Sequence, residues 1–368
     1  MEVPFVDLKR QYRAIKSEID DAIKRVVDTA AFVLGKEVEL FESEFAQYLN
    51  SDYAVGLNSG TDALHLALVA AGIKPGDEVI TAANTFIATA EAISLAGAKP
   101  VLIDIDLKNY NLGLESIEKA ITEKTKVILP VHFYGQPVNM EKLTEIARKH
   151  NLLIIEDACQ AHGATYKGKK VGSFGLAGCF SFYPAKNLAA FGDGGAIVTN
   201  NKDLAEKVKI LRDHGQTKKY FHTLKGFNSR LDSLQAAILR VKLKYLDQWN
   251  EARNKWARIY NELLKETSLV IPEIEESSHH VFHLYVVRCK RRNELQSSLK
   301  ENGIGTAIHY PIPIHLTEAY QDLGRKEGDF PQTEKAAREI LSLPMFPELK
   351  KEEVEYVVKK IKEFESRA

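Results

Sequence analysis

The sequence has little cysteine, no long apolar segment and no net charge. Its 368 residues include three cysteines, Cys159, Cys179 and Cys289, which lie far apart and form no Cys-x-x-Cys pair. Such a set favours neither a disulfide framework nor a cysteine-rich zinc site, and the apolar neighbours of each cysteine are typical of core positions. No apolar run approaches the ~20 residues that a membrane-spanning helix needs. We therefore expect no disulfide scaffold and no association with a membrane.

The charge balance and the amino terminus exclude two further classes of protein. Fifty basic and fifty acidic residues cancel, so no overall field attracts nucleic acid or anionic lipid, and only local patches could do so. The first residues carry charges from Glu2 onward and lack the apolar stretch of a signal peptide. We therefore expect a cytoplasmic protein that binds no nucleic acid.

Between residues 53 and 200, short β-rich runs alternate with helical stretches. The runs are 53–57, 78–82, 99–104, 125–133, 152–157, 177–183 and 195–200. Several of them are continuously apolar, which is typical of strands buried on both faces. This alternation predicts an α/β domain with a mostly parallel central sheet flanked by helices.

The pattern changes after residue 232, and a chain of 368 residues exceeds what one core usually serves. A long helical stretch without glycine runs from Ser233 to Leu264, and strand signals follow at 282–288 and 306–309. A terminal helix is predicted over 351–365. We therefore expect a large α/β domain over residues 1–245 and a small α+β domain over residues 246–368.

The first candidate site feature is the segment Asn58-Ser59-Gly60-Thr61, where a strand ends and an apolar helix begins. The free N–H groups of a helix start, together with the hydroxyls of Ser59 and Thr61, would form a cup for a phosphate. Simple capping of the helix by a hydroxyl is the alternative.

The second feature is Asp157, which closes a strongly apolar strand. A carboxylate there is costly to bury unless it has a partner, and the protonated ring nitrogen of pyridoxal phosphate (PLP) is one such partner. A helix cap or a Mg²⁺ ligand is the alternative. Because Glu156 alternates to the opposite face of the strand, the two carboxylates do not chelate one ion, and we expect no metal.

Two further features follow strand ends. Lys186 comes after a hydrophobic strand and before the turn at 192–195. An isolated lysine is usually a solvated surface residue, but near strand ends desolvation and neighbouring cations would lower its pKa and favour Schiff-base formation. Ser181 could offer a hydroxyl to the same ligand, and Phe86 could stack on a planar ring or pack in the core.

The order and spacing of these features resemble the DegT/DnrJ/EryC1/StrS family, which comprises sugar aminotransferases of the PLP-dependent fold type I. The resemblance extends from Val3 to about His315. The motifs that carry it are SGTDAL (59–64), PGDEVI (75–80), NTFIATAEAI (84–93), PVHFYGQP (130–137), EDACQAHGA (156–164), SFYPAKNL (181–188), GDGGAIVT (192–199) and NSRLDSLQAA (228–237).

The resemblance implies a role for each matching residue. Lys186 would hold PLP as a Schiff base and then act as the general acid and base. Asp157 would pair with the ring nitrogen, Gln160 would bond near the phenolic oxygen, and Phe86 would stack on the ring. The phosphate would be held by Gly60, Thr61 and Ser181, with Ser59 completing the cup. Asn228 would reach the cofactor phosphate of a neighbouring subunit, which implies a homodimer with its active sites at the subunit interface.

The motifs at 84–93 and 132–137 look more like members that act on C-3 of a keto sugar than like the C-4 branch. The expected reaction is transfer of an amino group from an amino acid, L-glutamate by family habit, to the C-3 keto group of a dTDP- or UDP-linked sugar. Tyr183, His309 and Tyr310 are the expected substrate-binding residues, although a packed histidine is the alternative for His309. The basic segment 212–230 would meet the diphosphate or lie solvated.

Other functions remain as alternatives. One is a C-4 keto sugar aminotransferase, and another is a different PLP chemistry, such as that of family dehydratases, which carry histidine at the lysine position. A third is a regulatory protein that binds PLP without turnover. A nucleotide-binding protein without PLP lacks support, because neither GxGxxG nor GxxxxGK[ST] occurs.

Overall fold

The computed structural model describes residues 1–366 of the chain. The helices are α1 (Leu8–Ala14), α2 (Lys16–Thr29), α3 (Lys36–Tyr48), α4 (Gly60–Ala70), α5 (Ile87–Leu95), α6 (Leu114–Ala120), α7 (Met140–Lys149), α8 (Lys202–Arg212), α9 (Ser233–Leu243), α10 (Leu246–Leu264), α11 (Arg292–Glu301), α12 (Pro331–Glu339) and α13 (Lys351–Glu365). Short 3-10 helices occur at Phe133–Gly135, Ile314–Leu316 and Glu318–Leu323. Within residues 1–366, none of the helices combines the length and the hydrophobicity needed to cross a bilayer.

The strands are β1 (Tyr53–Leu57), β2 (Glu78–Ala82), β3 (Lys99–Ile103), β4 (Thr125–Ile128), β5 (Leu153–Asp157), β6 (Thr165–Tyr166), β7 (Lys169–Lys170), β8 (Ala177–Ser181), β9 (Gly195–Thr199), β10 (Gln216–Lys218), β11 (Phe221–His222), β12 (Ser278–His279), β13 (Tyr285–Arg288) and β14 (Ile340–Leu343). The central sheet has seven strands in the order β1-β9-β8-β5-β4-β2-β3. Strand β9 is antiparallel to β1 and β8, and the remaining neighbours are parallel. The predicted α/β architecture is confirmed.

The sheet is buried on both faces. On one side, α4, α5 and α8 cover it with small and branched residues such as Leu66 and Val208. On the other side lies an aromatic cluster in which Phe45 packs edge-on against Phe180 at a centroid distance of 5.1 Å. All five residues of β9 are buried, which explains why its sequence does not alternate between apolar and polar residues.

Two expectations about the carboxy-terminal part are wrong. The helix predicted from Ser233 to Leu264 is broken between α9 and α10, where the ring of Tyr245 stacks on Trp249 and its hydroxyl bonds Glu18. Tertiary packing therefore turns the chain without a glycine. The segment 306–309 is not a strand and makes an isolated bridge between Ala307 and Ser342.

The carboxy-terminal elements form a second hydrophobic cluster. Helices α10, α11 and α13 pack with the antiparallel pair β13–β14. Val3 from the amino terminus also packs into this cluster and bridges to Ile304. The predicted division at residue 245 stays a prediction, and residues 367–368 of the predicted small domain lie outside the described part.

Strand directions place several chain segments at one edge of the sheet. The carboxyl ends of β1, β2, β5 and β8 lie there with the first residue of β9, because β9 runs the opposite way. Open α/β sheets bind ligands at this edge.

Candidate active site

A cleft of about 440 Å³ opens at this edge of the sheet. The predicted site residues that line it are Ser59, Gly60, Thr61, Phe86, Asp157, Gln160, Ser181, Tyr183, Lys186, His309 and Tyr310. Asn228 does not line it. The structure thus brings together residues that are up to 251 positions apart in the chain, from Ser59 to Tyr310.

One end of the cleft is the start of α4. The Ser59 hydroxyl accepts a hydrogen bond from the backbone N–H of Asp62 at 3.1 Å, so Ser59 caps the helix. A Cβ on Gly60 would lie 2.6 Å from Cβ of Ser181 and 2.9 Å from Sγ of Cys159. Glycine is therefore needed for the helix start to approach β8 this closely. Free N–H groups and hydroxyls converge there, which is the chemistry of an anion site.

Asp157 lies at the end of β5 and is 5% exposed. Its Oδ1 accepts from the backbone N–H of Cys159 at 3.1 Å, and its Oδ2 accepts from the Thr89 hydroxyl at 2.8 Å. Both donors are neutral, and the described residues provide no side-chain cation within 4.0 Å of this carboxylate. A buried negative charge so arranged fits a cationic ligand such as a protonated ring nitrogen.

Glu156 points to the other side of β5, as the alternation predicted. Its Oε2 accepts from His132 Nε2 at 3.0 Å and from Gly172 N–H at 2.7 Å, while its Oε1 accepts from the N–H groups of Phe174 and Gly175 at 2.7 and 2.8 Å. His132 Nδ1 accepts from a backbone N–H at 3.1 Å, which assigns the imidazole proton to Nε2. Within residues 1–366, no group of three or more His, Cys, Asp or Glu side chains is arranged to hold a metal ion.

Lys186 lies in the loop after β8 and is half-buried. Its backbone N–H donates to the carbonyl of Tyr183 at 2.8 Å. The side chain of Asn187 anchors the loop to Asn250 Oδ1 at 2.8 Å and to the carbonyl of Val281 at 3.0 Å. The backbone that carries Lys186 is therefore anchored on both sides of the residue.

Burial lowers the pKa of the Lys186 amine, and the neighbouring Cys159 and Asp157 oppose that shift. The expectation that nearby cations would contribute is wrong, because burial alone lowers this pKa and no cation of the described residues adds to the shift. A lowered pKa increases the fraction of neutral amine, which is the form that attacks a carbonyl and accepts protons.

Gln160 and Phe86 lie around the centre of the cleft. Gln160 Oε1 accepts from the backbone N–H of Tyr134 at 2.8 Å, and the Gln160 side chain also interacts with the Tyr310 hydroxyl. Phe86 is 48% exposed and its ring is tilted by 37° against Tyr310 at 5.2 Å. This exposure argues against the core alternative for Phe86 and leaves a ring face for stacking.

The three predicted substrate residues lie around the rim. His309 Nδ1 bonds the Ser342 hydroxyl at 2.9 Å, and burial lowers the pKa of His309 to about 4, so the ring is neutral near pH 7. Burial raises the pKa of Tyr310. Tyr183 is 55% exposed. The packing of His309 does not exclude substrate contact, because the residue also lines the cleft.

Asn228 does not line this cleft and is exposed. Its carbonyl accepts from the side chain of Asn58 at 3.5 Å, and its backbone bridges to Asp213. The nearby hairpin exposes Tyr220 and Phe221 by 78% and 63%. The contact of Asn228 with a neighbouring subunit stays a prediction.

Several residues of the cleft were not predicted. They include Thr85, Thr89, Cys159, Asp193, Gly194 and His283. The two threonines carry a weak sequence signal, since Thr85 follows strand β2 and Thr89 lies in the first turn of the next helix. His283 carries none, because it arrives from the carboxy-terminal part of the chain.

Comparison with known proteins agrees with this geometry. A model of the DegT/DnrJ/EryC1/StrS aminotransferase family matches residues 13–362. The chain is 51% identical over 367 residues to the "pleiotropic regulatory protein" of Geobacillus stearothermophilus, with 99% of each chain covered. It is 46% identical over 366 residues to the dTDP-3-amino-3,4,6-trideoxy-alpha-D-glucose transaminase of Streptomyces venezuelae, covering 99% of this chain and 97% of that protein.

Solved structures extend the likeness. The structure of S. venezuelae DesV in complex with a ketimine intermediate has a TM-score of 0.98 and 46% identity, covering 100% of this chain and 99% of that one. The structure of NtdA from Bacillus subtilis with bound cofactor PMP has a TM-score of 0.91 and 35% identity, covering 99% of this chain and 85% of that one.

The cleft and the relatives lead to the same cofactor. A buried carboxylate without a cation, a lysine with a lowered pKa and a cup for an anion fit PLP, and related aminotransferases carry its amino form. The predicted fold, the cofactor and the enzyme class are thus confirmed. The protein is a PLP-dependent sugar aminotransferase, and its chain belongs to the DegT/DnrJ/EryC1/StrS aminotransferase family.

Proposed function

We propose that the protein transfers an amino group from an amino acid, with L-glutamate as the expected donor, to the C-3 keto group of a dTDP- or UDP-linked keto sugar. The observation that carries this proposal is the convergence of Lys186, Asp157 and the anion cup on one cleft. The name of the S. venezuelae relative supports a nucleotide-linked sugar aminated at C-3 as the product.

PLP, when bound, supplies an electrophilic aldehyde and an electron-withdrawing ring. We assign Asp157 to the ring nitrogen, Gln160 to the phenolic oxygen and Phe86 to the ring face. The phosphate is assigned to Ser59, Gly60, Thr61 and Ser181. Lys186 would hold the aldehyde carbon of the cofactor. Once the incoming amine had displaced it, the neutral Lys186 amine would accept and return the proton that the amino transfer requires.

The substrate is assigned to the rim of the cleft, at Tyr183, His309 and Tyr310. Among the described residues that line the cleft, Lys186 is the one lysine or arginine. The negative charges of a diphosphate and of the donor carboxylates therefore need cations from elsewhere. The segment 212–230 contains Lys218, Lys219 and Arg230, and we propose that it meets the ligand from a second copy of the chain.

The proposed active unit is a homodimer in the cytoplasm. In it, Asn228 of one subunit reaches the cofactor phosphate of the other. The exposed aromatic side chains of Tyr220 and Phe221 support this, because a second subunit would cover them. The cleft takes His283, His309 and Tyr310 from residues beyond 245, in keeping with the proposed two-domain division.

A regulatory function is the second candidate, since the relative from G. stearothermophilus is named a regulatory protein. The two candidates differ in turnover. Purified holoenzyme is mixed with L-glutamate, and the visible absorption band of the Lys186-bound cofactor is followed. An aminotransferase converts that band to the amino form, whereas a regulator without turnover leaves it unchanged.

A panel of 3-keto and 4-keto nucleotide sugars then identifies the acceptor by mass spectrometry. We expect an amine on the 3-keto sugars, and an amine on the 4-keto sugars alone would contradict the assignment. Lys186→Ala is the control: it should retain PLP in the cleft and lose about 10²–10⁴-fold or more in kcat. Wild-type rates in this variant would refute the catalytic role of Lys186.

A further inference from the structure

Two threonines that have no role in the reaction described above connect to Asp157. Thr85 follows β2 and Thr89 lies in the first turn of α5, and they are 4% and 1% exposed. Their hydroxyl oxygens are 2.8 Å apart, and the Thr89 hydroxyl is 2.8 Å from Oδ2 of Asp157. The three side chains therefore form one buried chain of hydrogen bonds.

The direction of this chain is fixed by chemistry. An ionised carboxylate has no proton to donate, so the Thr89 hydroxyl must donate to Asp157. The Thr89 oxygen is then the acceptor for the hydroxyl proton of Thr85. Both protons point toward the carboxylate, and hydrogen bonds that are aligned in this way strengthen one another.

The local backbone explains why Thr89 is available for this contact. Helix α5 begins after Phe86, and the backbone N–H of Thr89 donates to the carbonyl of Phe86 at 3.1 Å. One turn of the chain therefore presents Phe86 to the cleft and Thr89 to Asp157. Thr85 precedes the helix, and its hydroxyl oxygen nevertheless lies 2.8 Å from that of Thr89.

We propose that Thr89 is a positioning residue for Asp157, with Thr85 in support. Its hydroxyl fixes the orientation of the carboxylate and stabilises its charged form, so that the ring nitrogen of bound PLP stays protonated. The backbone N–H of Cys159 holds the other oxygen at 3.1 Å. The Cys159 thiol also interacts with Asp157, but a thiol is a weak donor, so the Thr89 hydroxyl is the stronger side-chain donor to this carboxylate. The inference rests on the proposed pairing of Asp157 with the ring nitrogen.

A matched set of variants tests this role. Thr89→Val keeps the shape of the side chain and removes the hydroxyl, Thr89→Ser keeps the hydroxyl, and Thr85→Val removes the more distant one. Each holoenzyme is loaded with PLP that carries an NMR-active nitrogen isotope in its ring, and the ring-nitrogen signal is recorded against pH. The PLP dissociation constant and Tm are measured alongside.

The expected results are graded. Thr89→Val should weaken protonation of the ring nitrogen by about tenfold or more, the effect of losing a hydrogen bond to a charged group. Thr85→Val should have a smaller effect in the same direction, and Thr89→Ser should restore the wild-type signal. A lowered Tm in Thr89→Val with an unchanged ring-nitrogen titration would mean a structural role alone and would overturn the inference.

Asp157→Asn separates this inference from its premise. If that variant leaves the ring-nitrogen signal unchanged, the proposed pairing of Asp157 with PLP is wrong, and the inference is overturned with it. If Asp157→Asn moves the signal and Thr89→Val does not, the pairing stands and the role of Thr89 alone is refuted.

Discussion

The buried carboxylate of Glu156 provides the sharpest stability test of this fold. Its two oxygens accept four hydrogen bonds, from His132 Nε2 and from three backbone N–H groups between Gly172 and Gly175, at 2.7–3.0 Å. Both Glu156 and His132 are fully buried. Glu156→Gln replaces one acceptor oxygen with an NH₂ donor of nearly the same size, so the change is electrostatic rather than steric.

The glutamine amide has no orientation that satisfies all four donors. In one orientation its NH₂ faces the N–H groups of Phe174 and Gly175, and in the other it faces His132 and Gly172. Moving the imidazole proton to Nδ1 does not help, because Nδ1 accepts from Val138 N–H at 3.1 Å. At least two buried donors thus lose their acceptor, at about 1–3 kcal/mol each, and the variant should lose roughly 2–6 kcal/mol of stability.

The assay is thermal unfolding of the apoenzyme and the holoenzyme. At ~2 °C per kcal/mol for a large chain, Tm should fall by roughly 4–12 °C. The control is Glu141→Gln, which removes the exposed ion pair with Lys167 at 2.7 Å, and exposed pairs contribute about 0–1 kcal/mol. If Glu156→Gln lowers Tm no more than Glu141→Gln does, the loss of acceptors for two buried donors does not destabilise the fold, and the reasoning is refuted.

Two further predictions concern the cofactor. Gly60→Ala forces a Cβ to within 2.6 Å of Ser181, so PLP affinity measured by fluorescence should fall at least about tenfold. In the control Gly192→Ala, the Cβ would meet only the end of the Gln235 side chain, at 3.2 Å, so this variant should bind PLP nearly as the wild type does. Equal affinities in both variants would contradict the phosphate cup. Burial lowers the pKa of Lys186, so its neutral amine is present at pH values below the usual lysine pKa. The rate of PLP capture by the apoenzyme should therefore rise with pH to a midpoint below 10.5. A midpoint at or above that value would refute the lowered pKa.

Local signals explain which parts of the fold could be predicted. Strands β1 and β2 begin and end where the apolar runs 53–57 and 78–82 do, since turn residues bound both runs. Strand β4 was predicted to extend to 133 and ends at Ile128, because Pro130 has no N–H for the ladder. The break between α9 and α10 could not be predicted, since it depends on the packing of Tyr245 against Trp249.

The same distinction applies to the cleft. Residues at or just after a strand end, such as Asp157 and Lys186, could be predicted because strand polarity alone sends them to one edge of the sheet. Thr89 lies 68 positions before Asp157, and its hydroxyl matters only once β2 and β5 are known to flank β4. His283 depends further on how β13 and the loop before it approach the sheet. Sequence reasoning therefore finds the groups that would contact the cofactor and misses the hydrogen bonds that hold those groups in place. Thr89 bonds the carboxylate of Asp157, and the bonds of Glu156 hold the strand that carries it.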